Sequence, residues 1–156
     1  MGLVNQSEIN LSVLANHLDN SGWDVMSDTD ELILHTENGI AFNVLIDLKR
    51  LFVILRTYLP VRSDFLGSTD YCNQLNINLF MGRFAIDSDN DLRVCYVMSI
   101  EKSLELSQFS RIVLRFASLL EHVVLEEKDL VFDFNKYKSK PKEALINLPT
   151  TTITLQ

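Results

Sequence analysis

Asp87, Asp89 and Asp91 stand at alternate positions in the string DSDND, the spacing with which an EF-hand loop presents its first oxygen ligands to calcium. Such a loop also needs glycine at its sixth position, for a sharp turn, and a bidentate glutamate at its twelfth. Counted from Asp87, those positions hold Leu92 and Met98. The residues that follow, LRVCYVMSI, alternate Leu92, Val94, Tyr96, Met98 and Ile100 on one side, a strand rhythm where an EF-hand requires a helix. The three carboxylates therefore read as the water-screened tip of a hairpin, and no metal site is expected.

The remaining reactive residue types form no catalytic set. His17, His35 and His122 fall in separate elements, with no pair at i, i+4 and no H-E-x-x-H pattern. Cys72 and Cys95 lack C-x-x-C spacing and read as small buried thiols. No G-x-S-x-G elbow, P-loop or G-x-G-x-x-G phosphate cradle is present. The expectation is a protein that is not an enzyme and uses no cofactor. Lys136, Lys138, Lys140 and Lys142 flank Tyr137 in KYKSKPK, a pattern that could stack and neutralise nucleic acid, but it reads more simply as a soluble linker. A net charge of −7 disfavours nucleic acid and anionic membranes as partners. No apolar run reaches the ~18 residues of a membrane span, so the chain reads as cytoplasmic.

These residues must be positioned by a fold of modest size. The 156 residues suit one domain, read as 1–128, with 129–156 as a C-terminal extension that packs on the sheet or on a partner. Asn5 or Ser7 can cap a first helix whose Leu11, Leu14 and Leu18 share one face, and Gly22 supplies its stop. The period then changes to two through WDVMS, ELILHT, IAFNVLI and LFVILRTYL, an antiparallel meander in which Asn38 and Gly39 mark a tight primed turn. A second helix begins near Ser68 or Thr69, a hairpin follows in RFAI and LRVCYVMSI, and a long helix runs from Leu104 to about Glu126. The predicted class is α+β, in the order helix, meander, helix, hairpin, long helix, with the helices on one face of the sheet. The end, TTITLQ, has the composition of a strand.

The strands are apolar on both sides. If Ile40, Phe42, Val44 and Ile46 face the helices, then Leu45, Phe52, Ile54 and Val97 point the other way, and Leu120 and Val124 lie in a band on the last helix wider than one contact needs. These six residues are the candidate protein-binding set. Their cover could be the chain's own tail, a second copy in a homodimer, or a protein client or regulatory partner. The alternative is a small-ligand sensor or enzyme with a polar pocket at Asn73, Asn76, Arg83 and Tyr96.

Three stretches carry a family resemblance: LANHLDNSGWDV at 14–25, FNVLID at 42–47, and NQLNINLFMGRFAIDSDNDLRVCYVMSIEKSLELSQF at 73–109. In this pattern Asn73 and Asn76 sit on the middle helix, and Gly82, Arg83 and Phe84 enter a hairpin with a charged turn. Over about residues 5–126 the chain resembles the YbjN-like family of small bacterial sensory transduction regulators, related in fold to type III secretion chaperones. The resemblance implies a two-layer sandwich, usually dimeric, without a catalytic centre. It also implies a noncatalytic binding role, chaperone-like or as a regulatory adaptor.

Overall fold

The computed structural model describes residues 2–127 and 129–138. Among the described residues twelve elements follow one another: β1 (Leu3–Asn5), a 3-10 turn (Gln6–Glu8), α1 (Leu11–Asn20), β2 (Met26–Ser27), β3 (Leu32–His35), β4 (Ala41–Asp47), β5 (Phe52–Leu59), α2 (Ser68–Asn78), β6 (Arg83–Ile86), β7 (Leu92–Ser99), β8 (Ser103–Glu105) and α3 (Leu106–Glu127). Six strands form one antiparallel sheet in the order β2-β3-β4-β5-β7-β6, and β1 pairs with β8 in a separate ribbon. This is the expected α+β layout, a two-layer sandwich.

The alternation of β5 makes the layering visible. Val53, Leu55 and Leu59 are buried and join one core with Leu14 and Leu18 of α1 and Phe109, Val113, Phe116, Leu120 and Val123 of α3. Aromatic rings tie the layers together, since Phe42 of β4 meets Trp23 edge-on at 6.0 Å and Phe116 at 5.5 Å. Such pairs add about 1 kcal/mol each beyond the area they bury. The His17 imidazole meets the Ser110 hydroxyl at 2.5 Å, a polar strut between α1 and α3.

Several local details depart from the sequence expectations. The cap of α1 is Asn10, whose side chain accepts the N–H of Val13 at 2.9 Å; Asn5 instead closes β1. The first meander strand shrinks to Met26–Ser27 because the helix end uses the next backbone groups: Gly22, at φ 95°, donates to Asp19 O and Trp23 donates to Leu18 O. That double bond is the Schellman closure of a helix, and it delays the strand. At the β3–β4 turn only Gly39 has positive φ, with Thr36 and Ile40 closing the ends, so this is a three-residue loop rather than a primed two-residue turn.

The segment after α3 is not merely a linker. Phe132 bridges to Val61, Arg62 N–H donates to Val131 O at 2.7 Å, and Asp133 N–H donates to Pro60 O at 2.9 Å. Val131, Phe132 and Tyr137 are buried, so residues 129–138 add to the core at the end of β5. Lys140, Lys142 and the strand expected in TTITLQ lie outside the described residues.

Candidate protein-binding face

Period-two geometry sends alternate side chains of β4, β5 and β7 away from the helices. On that outer face Leu45 pairs with Ile54, and Ile54 pairs with Val97, giving an apolar row across three strands. Phe52, two residues from Ile54, stands beside it between Asp47 and Ser99. None of the four belongs to the core cluster or to the partly buried apolar residues packed against it. Val97 is 43% exposed, and the other three are half-buried. The sheet brings these four residues together on one face.

Leu120 and Val124 are placed elsewhere. Both are buried in the core on the inner side of the sheet, because the wide apolar band of α3 is consumed in covering β-strands and α1. They form no surface with the other four.

The four residues of the alternative polar pocket do not converge. Asn76 spends its amide on β6, donating to Phe84 O at 2.9 Å and accepting from Phe84 N–H at 3.0 Å. Arg83 pairs with Cys95, while Tyr96 pairs with the core residue Leu55, so the two side chains leave opposite faces of the sheet. Asn73 is exposed on α2. Asn76 thereby serves as a substitute strand partner for β6 and ties α2 to the sheet edge.

The DSDND turn divides its labour. One carboxylate oxygen of Asp87 accepts the N–H groups of Asp89 and Asp91, each at 2.9 Å, and Asn90 takes the left-handed conformation at φ 61°. Asp89 is exposed as expected. Asp91 is not a water-screened tip, being 1% exposed and bonded to Val61 N–H at 3.2 Å, Lys136 Nζ at 2.7 Å and the Tyr137 hydroxyl. Burial pushes its carboxyl above the ordinary aspartate value, and the bonds from Lys136 and Tyr137 pull the other way. Among the described residues no group of three or more His, Cys, Asp and Glu is arranged to hold a metal ion.

A basic cluster next to the apolar row escaped the sequence reading. Arg56 pairs with Cys95, Cys95 pairs with Arg83, and Arg93 follows two residues along β7. Arg56 lies over the Tyr58 ring with its guanidinium carbon 5.6 Å from the centroid. The Nε atoms of Arg56 and Arg93 are buried without a hydrogen-bond partner. Burial pushes the Cys95 thiol up, while Arg93, Arg56 and Arg83 act to lower it. The alternation itself held the signal: Arg56 is in phase with Ile54, and Arg93 with Val97.

On the helical side, an open cavity of about 570 Å³ lies between the end of α1, the β3–β4 turn and α3. At its rim Glu121 accepts both the backbone N–H and the side-chain amide of Asn38, each at 2.8 Å. Burial acts to raise the Glu121 pKa, but the bonds from Thr36 and Asn38 outweigh it and hold the carboxyl below its ordinary value. Among the described residues no helix is long and apolar enough to cross a membrane.

Comparison with known proteins agrees with this architecture. The structure of YbjN, a putative transcription regulator from E. coli, superposes with a TM-score of 0.66 at 21% identity, covering 80% of this chain and 96% of that one. A chain in the crystal structure of the ExsC–ExsE complex superposes with a TM-score of 0.55 at 19% identity, covering 76% of this chain and 90% of that one. No curated protein matches in sequence. The profile of the YbjN family, described as a putative bacterial sensory transduction regulator, matches residues 10–126, and with the helix-covered sheet in place the chain belongs to that family.

Proposed function

We propose that this chain is a noncatalytic binding protein, chaperone-like or a regulatory adaptor, that works as a homodimer and captures a segment of another protein on the outer face of its sheet. The observation that carries the reading is the row Leu45–Ile54–Val97 with Phe52, apolar and outside the core. An apolar sheet face that no layer of the described residues covers is the kind of surface on which proteins bind extended segments. The likeness in fold to a chain of the ExsC–ExsE complex, itself a complex between two named proteins, supports the same reading.

The test is affinity capture from native bacterial lysate with the full chain and with Ile54→Asp, a substitution that puts a charge in the middle of the row. The expected outcome is a reproducible partner held by the parent chain and lost from the variant, with unchanged circular dichroism. A partner recovered equally by both would remove the outer face from the account. Molar mass measured across a concentration series checks the dimer, and a constant monomer mass up to high micromolar would exclude it.

A further inference from the structure

Three of the chain's arginines gather on the outer face, although the protein carries a net charge of −7. Arg56, Cys95 and Arg83 occupy one row across β5, β7 and β6, two residues along the strands from the apolar row. That offset is about 7 Å in an extended strand. Arg93 adds a third guanidinium beyond Cys95. The ion pairs formed by arginine among the described residues are those of Arg50 with Asp47 and Arg62 with Asp64, both away from this cluster. Two acidic groups lie near in register: Asp91, two residues before Arg93, is held by Lys136 and Tyr137, and Glu31 holds the Asn43 amide through one oxygen while its Oε1, buried, has no partner and meets neither Arg56 nor Arg93 in a hydrogen bond. Buried guanidinium N–H groups without acceptors are costly, and a planar carboxylate is the acceptor that matches their fork.

We propose that the outer face takes an acidic, extended segment of a partner protein, with carboxylates against Arg56, Arg93 and Arg83 and apolar side chains against Leu45, Ile54 and Val97. The inference rests on the protein-binding reading above and adds the chemistry of the partner. Charge complementarity selects this occupant over two others. Residues 139–156 carry two lysines and one glutamate, the wrong balance of sign to neutralise three arginines. A nucleic acid would bring extended negative charge against a chain that is itself strongly acidic. A short acidic segment meets the basic cluster locally and uses the apolar row as well.

The experiment is fluorescence anisotropy with the full chain and a labelled peptide of about ten residues alternating glutamate with leucine, long enough to extend over roughly 30 Å. Its comparators are the same peptide with glutamine for glutamate and a single-stranded DNA of equal charge. The glutamate peptide should bind at least about tenfold more tightly than the glutamine peptide, weakening as salt is raised. Arg56→Gln with Arg93→Gln should remove that preference. Arg83→Gln, at an exposed position, should reduce it without any risk to folding. Arg111→Gln with Arg115→Gln, an equal change of charge on the exposed side of α3, should leave it unchanged.

Equal binding of glutamate and glutamine peptides would overturn the acidic-partner proposal while leaving the apolar protein-binding face standing. Binding of DNA as tight as that of the glutamate peptide would also overturn it, as would an equal loss in the α3 variant. No binding of either peptide, together with protection of 139–156 from amide exchange in the free chain, would assign the face to the chain's own end and reject a partner.

Discussion

Strand β5 has two opposite edges of side chains with different duties. Val53, Leu55, Thr57 and Leu59 are buried beneath the helices, whereas Phe52, Ile54, Arg56 and Tyr58 alternate with them on the half-buried outer side. The inner set resembles the interior of any two-layer protein, and even Thr57 satisfies its hydroxyl on Ala41 O at 2.6 Å. The outer set mixes large apolar groups with a guanidinium whose Nε is left without a partner. Adjacent residues on one strand thus separate the core from the face proposed for recognition, because the pleat assigns them to different surroundings.

The strongest way to break that separation is truncation of neighbouring residues. Leu55→Ala should cost about 4 kcal/mol in a denaturant titration, since a fully buried leucine leaves a cavity as well as lost transfer energy. Ile54→Ala should cost less than about half of that, being only partly withdrawn from water. Equal losses would mean that both faces are core. Asp91→Ala should cost about 3 kcal/mol, because it leaves Lys136 and Tyr137 without their buried acceptor at the end of the inner layer. A loss within the error of the titration would show that residues 129–138 contribute nothing to that layer.

Asn76→Ala removes two hydrogen bonds from Phe84 and should cost about 2 kcal/mol, read most directly as faster amide exchange at Phe84. The smallest change is Glu121→Gln, about 1 kcal/mol or less, and it depends on pH. The folded-state pKa of Glu121 is lowered, so its stabilisation is present above the ordinary value of 4.5 and is lost as pH falls through the folded value. Thermal unfolding of parent and variant should therefore differ at pH 7 and converge in acid. A gap that persists below pH 3 would locate the effect in shape rather than charge.

The elements were readable in the sequence where one local period controls them. Leu14 and Leu18, Phe109 to Val124, and the alternation of β4, β5 and β7 each declared a buried side within a short window. The outer apolar row followed from the same alternation. What escaped depends on partners distant along the chain. Asp91 looks like its neighbours in DSDND, and only Lys136 and Tyr137, 45 and 46 residues later, make it a buried anchor. The arginine cluster required the register of β5, β7 and β6, which no strand contains alone. Likewise, the band on α3 could not reveal whether its width served the sheet or the exterior until α1 and the sheet were in place.

The attachment of α2 to β6 has a consequence for how any segment could approach. Asn76 occupies the outward N–H and C=O of Phe84, so this border of the sheet is already spoken for by a helix. The opposite border is a strand of two residues. Among the described residues a segment bound on the proposed face would find no long ladder to extend and would be identified by its side chains, so the proposal makes its sequence, more than its readiness to become a strand, the quantity to be discriminated.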